Sequence, residues 1–275
     1  MRAARLPAQF LFALFLSTLV AGACAQAQSG DGQYQPQVGQ EGKDVIWVPT
    51  PQSLVDRMLD IGKVTSRDYL IDLGSGDGRT VITAAKRGAR ALGIEYNPDM
   101  VELSKRSAAK EGVSDKASFI KADLFESDFS QATVITMFLL PDINLRLRPI
   151  LLELKPGTRV VSNSFTMGEW QADDTVTAKN SCVSYCTAYL WIVPAKVEGN
   201  WRLAAGDLTL KQSFQMISGA LKSGNQSTTI ANGKLSGDQI TFNAGGVLYT
   251  GRVNGNAMEG SVSTGGSWKA TRAGK

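Results

Sequence analysis

Apolar positions fall into two textures along this chain. Between Tyr69 and Phe165 short apolar runs alternate with stretches where apolar residues recur every three to four positions. The runs Tyr69 to Leu73, Ala91 to Glu95, Ala117 to Asp123, Ala132 to Leu139 and Arg159 to Phe165 predict strands. Between them Arg79 to Arg87, Pro98 to Glu111 behind an Asn97 cap, and Asn144 to Leu154 predict helices. An earlier helix carries Leu54, Val55, Met58, Leu59 and Ile61 at helical spacing, capped from Thr50-Pro51. Such alternation predicts a parallel, doubly wound sheet with helices on both faces, an α/β fold. Tyr189 to Val193 and Trp201 to Ala204 are expected to complete that sheet as an edge hairpin. Beyond about Ala205 the helical period vanishes and glycine punctuates short alternating strands. There Gly233-Lys234-Leu235-Ser236-Gly237-Asp238-Gln239-Ile240 is echoed by Gly251-Arg252-Val253-Asn254-Gly255-Asn256-Ala257-Met258, each a strand, a tight turn and a returning strand. Residues 205–275 therefore predict an antiparallel β meander that either closes into a small barrel or packs on the main domain.

The first 44 residues follow neither texture. Arg2 and Arg5 precede an apolar run from Phe10 to Ala21, then Ala23-Cys24-Ala25 and Ala25-Gln26-Ala27 offer small-residue cleavage sites. Residues 1–25 read as a secretory signal peptide, too short to span a bilayer, which leaves no transmembrane helix in the mature chain. Export implies the periplasm if the source is Gram-negative. Leu19-Val20-Ala21-Gly22-Ala23-Cys24 loosely resembles a lipobox, so anchoring at Cys24 is the alternative. Residues 26–44, rich in Gln, Gly and Ser, read as a flexible linker, with order expected from Val45-Ile46-Trp47. A main domain then spans 45–204.

Composition narrows the chemistry. With 43% hydrophobic and 20% charged residues the chain can bury a core, and its net charge of +4 gives no argument for nucleic acid. Histidine is absent, which excludes Ser-His-Asp and Cys-His nucleophiles, histidine bases and histidine metal sites. Three cysteines are too few for a Cys₄ zinc site. Cys182 and Cys186 are the pair left after cleavage; in an extended strand their α-carbons lie beyond bridging reach unless the chain turns between them, and the sequence leaves that open. Trp170, Trp191, Trp201 and Trp268 read as core or domain-contact residues.

Asp72-Leu73-Gly74-Ser75-Gly76-Asp77-Gly78 follows a predicted strand and opens a helix, where glycines let the backbone turn sharply and approach a ligand closely. Glu95 ends the next strand, twenty-one residues after Gly74, where a carboxylate can accept from both ribose hydroxyls. The glycine spacing is tighter than the Gly-x-Gly-x-x-Gly of dinucleotide sites, and Asp77 would repel a pyrophosphate. S-adenosyl-L-methionine carries a sulfonium and an ammonium instead, which the acids Asp72, Asp77 and Glu95 can attract. Asp123, closing the third strand, lies at the same sheet edge and can accept from an adenine amine.

These residues resemble class I S-adenosylmethionine-dependent methyltransferases over roughly residues 45–204. Val48-Pro49-Thr50-Pro51, Asp72 to Arg79, Phe138-Leu139-Leu140-Pro141 and Leu154-Lys155-Pro156-Gly157-Thr158-Arg159-Val160-Val161-Ser162 are similar to a narrower group, the mitochondrial lysine methyltransferases acting on the c subunit of ATP synthase and their bacterial relatives. The resemblance implies a Rossmann-like methyltransferase sheet followed by the small antiparallel β meander or barrel. It also implies donor contacts at Asp72, Gly74, Gly76, Glu95 and Asp123, with Ser75 and Asp77 in the same loop, and active-site shaping by Pro49, Thr50 and Pro51. Methyl transfer depends on positioning and requires no metal. After the fourth strand, Phe138, Leu140 and Pro141 stand where many amino methyltransferases carry Asn/Asp-Pro-Pro-Tyr. An apolar rim there suits an aliphatic or lysine-like amine and argues against DNA bases. The expected partner is a methyl acceptor, protein or small molecule, not nucleic acid. A non-catalytic binding protein on the same fold and a dinucleotide oxidoreductase are the alternatives.

Overall fold

The computed structural model describes residues 34–179 and 182–274. The expected signal peptide with its cleavage sites and Cys24, and the linker up to residue 33, lie outside the described residues. The main sheet is built from β1 (Tyr69–Leu73), β2 (Arg90–Glu95), β3 (Ala117–Lys121), β4 (Val134–Met137), β5 (Arg159–Asn163), β6 (Asp174–Thr177) and β7 (Thr187–Ile192). Their order is β3-β2-β1-β4-β5-β7-β6, with β1 to β5 parallel and β7 antiparallel to both β5 and β6. Strand order reverses between β1 and β4, and in such sheets the crevice outside the carboxyl ends of the strands at that point is the ligand-binding position. Helices α1 (Gln52–Ile61), α2 (Arg79–Lys86), α3 (Pro98–Lys110) and α4 (Pro141–Leu151) cover the faces. Among the described residues no helix is long and apolar enough to cross a membrane.

Local chemistry explains most boundaries. Asn97 caps α3 by accepting from the amides of Asp99 (2.9 Å) and Met100 (3.4 Å). Thr50 does not cap α1 as expected: Pro51 takes the N-cap position without a side-chain bond, and the Thr50 hydroxyl instead accepts from Asn163 Nδ2 at 3.2 Å. Helix α4 begins three residues earlier than expected because Pro141 fits the first turn, where its missing N–H costs nothing. Strand β6 was not foreseen; it is short, polar and largely exposed, as suits an edge strand.

The second unit of architecture is a closed antiparallel barrel of β8 (Gly199–Leu203), β9 (Gly206–Ser213), β10 (Met216–Ser223), β11 (Gln226–Ser236), β12 (Gln239–Ala244), β13 (Val247–Asn254), β14 (Ala257–Val262) and β15 (Ser267–Arg272). Strand β8 corrects the expectation that Trp201 to Ala204 completes the main sheet. It pairs with β9 and β15, and its inward residues Trp201 and Leu203 join the barrel core. The reason is closure: without β8 both β9 and β15 would be open edges. The interior is filled by side chains, with the Phe242 and Tyr249 rings stacked at 4.7 Å and both set edge-on to Trp268.

The barrel meets the main sheet at the amino ends of β5 and β6. Phe214 stacks on buried Trp170 at 6.1 Å, Gln215 Nε2 donates to Gln171 O at 2.8 Å, and the Ala195 amide donates to Gly237 O at 2.8 Å. Lys234 Nζ lies 3.2 Å from Asp173 Oδ1. All four expected tryptophans are buried, two in each core.

Candidate active site

At the carboxyl edge of β1 the glycine loop holds three left-handed residues, Gly74 (φ 74°), Gly76 (φ 53°) and Gly78 (φ 80°). The amides of Gly74 and Ser75 both donate to Ile94 O, at 2.9 and 3.0 Å, which ties the loop to the end of β2. A Cβ on Gly76 would lie 2.8 Å from Trp47 Nε1, so that glycine is required by contact as well as by φ. Ser75 turns its hydroxyl toward Gly93, where an added Cβ would come within 2.5 Å. What Ser75 offers the cleft is therefore mainly backbone.

The acids divide by environment. Asp72 is buried, and its Oδ1 accepts from Thr136 Oγ1 at 2.7 Å. Burial, helped by the charges of Glu95 and Asp77, pushes its carboxyl up to about 7 against the Thr136 bond. Glu95 spans the loop and α3: Oε2 accepts from the Gly76 amide and Oε1 from the Asn97 amide, each at 2.9 Å. Asp77 is held by Arg79 Nε at 3.0 and 3.1 Å, while Arg79 Nη1 donates to Thr50 O at 2.9 Å. That chain of contacts fastens the Pro49-Thr50 segment to the glycine loop.

Asp123 sits at the cleft as expected, but its partner comes from the segment read as flexible linker. Lys43 pairs with Asp123 and lies over the Tyr96 ring, 5.1 Å from its centroid. This bond, with the Phe125 amide at 2.9 Å, holds the Asp123 carboxyl below the usual carboxylate range. Residues 39–47 form a small hairpin rather than a free linker: Trp47 N donates to Gln40 O and Gly39 N to Trp47 O, both at 2.9 Å, around an antiparallel bridge between Glu41 and Ile46. The sequence reading missed this hairpin because backbone bonds and one long-range ion pair fix it, and neither leaves a local apolar pattern.

The hairpin and the sheet edge enclose a cleft of about 1020 Å³, its open mouth included. Asp72, Gly74, Ser75, Gly76, Asp77, Glu95, Asp123, Pro49, Thr50 and Phe138 all line it. Pro51, Leu140 and Pro141 do not: Pro51 and Leu140 are the N-cap residues of α1 and α4, and Pro141 is the first residue of α4. Lys43, Trp47, Tyr96, Asn97 and Met100 also line it and were not foreseen as site residues. The residues fit S-adenosylmethionine. The bare loop backbone allows close approach, and Asp72, whose carboxyl burial raises to about 7, can ionise to offer a counter-charge to a positively charged ligand.

A family model for the ANTKMT methyltransferase domain matches residues 72–174. The chain is 43% identical over 152 residues to a protein-lysine N-methyltransferase of Saccharolobus islandicus, covering 54% of this chain and 94% of that protein. It is 42% identical over 108 residues to the human lysine N-methyltransferase named for the c subunit of ATP synthase, but spans only 46% of that enzyme's length. Among solved structures, an RNA methyltransferase from Salinibacter ruber in complex with S-adenosyl-L-homocysteine shares 49% identity with a TM-score of 0.51, covering 55% of this chain and 96% of that one. These matches leave nearly half of the chain without a counterpart. The dinucleotide alternative finds no support in them, and the cleft lined by the glycine loop, Asp72 and Glu95 fits the donor: the chain belongs to the ANTKMT family and is an S-adenosylmethionine-dependent methyltransferase.

Proposed function

We propose that this enzyme methylates the side-chain amine of a lysine in a protein, and that it does so after export. The observation that carries the acceptor reading is the end of β4, where Met137, Phe138 and Leu139 line the cleft, while Asn144, the next side-chain amide along the chain, is buried on Ser162 and Phe165 and does not reach the cleft to grip a planar base. The lysine-directed activity named for the Saccharolobus islandicus and human relatives supports it. S-adenosylmethionine, when bound, supplies an electrophilic methyl on its sulfonium. The chain's residues supply position and surroundings: Asp72, once ionised, would offer negative charge to the donor, Glu95 and the loop amides hold the loop in register, and the apolar cleft wall at Met137 and Leu139 favours loss of the amine's proton before attack. An amine that has lost its proton to water presents the lone pair that in-line attack needs.

An RNA acceptor is the second reading, favoured by the activity named for the Salinibacter ruber protein. Incubating the enzyme with radiolabelled donor, and separately with lysine-bearing protein and with RNA, decides between them. Label on lysine, lost in Phe138→Ala, supports the proposal; label on RNA with none on protein replaces it.

Export is supported by the pattern from Arg2 to Ala27 and by the paired Cys182 and Cys186, since disulfides persist in oxidising compartments. N-terminal sequencing of protein recovered from cell fractions tests it. Chains beginning at Gln26 or Gln28 outside the cytoplasm agree, whereas intact chains confined to the cytoplasm overturn it.

A further inference from the structure

Three aromatic rings from three loops meet at the carboxyl edge of the sheet, and of the three only Phe138 lines the donor cleft. Phe138 follows β4 and lines the donor cleft; Phe165 follows β5. Tyr185 lies in the loop between β6 and β7, which returns to the same carboxyl edge of the sheet. Ring centroids are 6.1 Å apart for Phe138 and Phe165, 5.1 Å for Phe138 and Tyr185, and 6.2 Å for Phe165 and Tyr185. The two phenylalanine planes are only 21° apart, while Tyr185 tilts by 59° and 58° against them, so the three make a corner rather than a flat stack. Tyr185 remains 44% exposed, which a ring recruited only for the core would not be.

Tyr185 is also held in an unusual way. Its backbone takes φ 56°, a left-handed conformation that an aromatic residue adopts only when something else enforces it. Here the loop is closed by the bond between Cys182 and Cys186, whose α-carbons are 5.8 Å apart. The turn at Tyr185 brings the cysteines within reach, and the bridge in return fixes the turn.

Aromatic faces carry negative charge density and attract ammonium groups, most strongly where water is partly excluded. Resting on the reading of the acceptor as a lysine side chain, we infer that Phe138, Phe165 and Tyr185 form a cation-binding corner that receives the acceptor's ammonium beside the donor cleft, with the Cys182 to Cys186 bridge as the element that positions Tyr185. The same corner suits methylated ammonium, whose charge is spread over more apolar surface, so a partly methylated lysine is held as well as an unmodified one.

The test needs no turnover and no natural acceptor. Choline and its neutral isostere 3,3-dimethylbutan-1-ol are titrated by NMR into full-length protein saturated with S-adenosylhomocysteine. Choline is expected to bind roughly threefold to tenfold more tightly than the alcohol. Tyr185→Ala and Phe165→Leu should remove that preference, Tyr185→Phe should keep it, and affinity for S-adenosylhomocysteine should stay unchanged in all three. Cys182→Ser with Cys186→Ser should match Tyr185→Ala, and adding Tyr185→Ala to the cysteine pair should change nothing more. Equal binding of choline and the alcohol shows an apolar patch only and overturns the site. An unaltered preference in the cysteine variant overturns the positioning role. Either failure is distinct from failure of the lysine reading, which would appear as absent methyl transfer to protein while choline still binds.

Discussion

Gly76 shows how narrowly the donor loop is specified. It combines φ 53° with an approach that would set a Cβ 2.8 Å from Trp47 Nε1, so Gly76→Val should abolish S-adenosylmethionine binding while the fold, whose cores lie elsewhere, survives. Calorimetry on the folded variant checks this, and unchanged affinity would remove the loop from the donor site. Asp72 makes a prediction of the opposite kind, about protons. Burial raises its folded value to about 7 from an ordinary 3.8, so the unfolded chain releases this proton at lower pH than the folded one does. The group's contribution to stability is therefore greatest below the ordinary carboxylate range, falls as pH rises towards 7, and is level beyond. A cation bound beside Asp72 favours its charged form, so donor binding below pH 7 should release a proton and tighten as pH rises to that point. Binding heats that vary with the ionisation enthalpy of the buffer would show the release, and Asp72→Asn should remove it. Both residues were legible in the sequence, because a glycine with an acid at its flank after an apolar strand has few other uses. Lys43 and Trp47 were not, since what makes them site residues is a partner far along the chain.

Elements were legible where their period is strong and local. Strands β1 to β5 and helices α2 and α3 fall within a few residues of the apolar pattern, because the central strands β1, β4 and β5 are apolar runs buried on both faces and the helices bury one face within their own length. Strand β6 was lost because an exposed polar edge strand has no such face. Strand β8 was found but assigned to the wrong sheet, for Trp201 and Leu203 alternate correctly for either sheet and only pairing to β9 and β15 decides between them. The Cys182 to Cys186 bridge stayed open in the sequence for a similar reason: it hangs on the backbone of one residue, Tyr185. The placement of β8 has an energetic test. Trp201 is fully buried, donates from Nε1 to Val197 O at 2.8 Å and lies under the Arg272 guanidinium. Trp201→Ala should cost about 3–5 kcal/mol of barrel stability. Urea unfolding read by fluorescence would measure it, with donor affinity expected to stay as in the parent.

In the whole molecule the two working edges of the main sheet are separated: the donor cleft opens at the carboxyl ends, and the barrel docks at the amino ends. A chain ending at Val193 should therefore keep its donor affinity within about twofold, because distant sites act nearly independently. It should also lose about 2–8 °C in Tm, since Trp170 loses Phe214 and Asp173 loses Lys234. Thermal melts and calorimetry on that chain check both, and folded protein without donor affinity would show that the barrel shapes the cleft. Ending the chain at Ala204 instead keeps β8 but strips both its partners, and should aggregate. The hairpin of residues 39–47 lies across the opposite edge, with Lys43 on Asp123 and Trp47 against Gly76. Release of spent cofactor should then require this hairpin to lift, as it does where a closing segment covers an active site. The Lys43 pair is partly exposed and salt screens it, so the dissociation rate of S-adenosylhomocysteine in stopped flow should climb with ionic strength. In Lys43→Met that rate should already be fast and indifferent to salt, leaving an enzyme that exchanges its cofactor freely and holds it poorly.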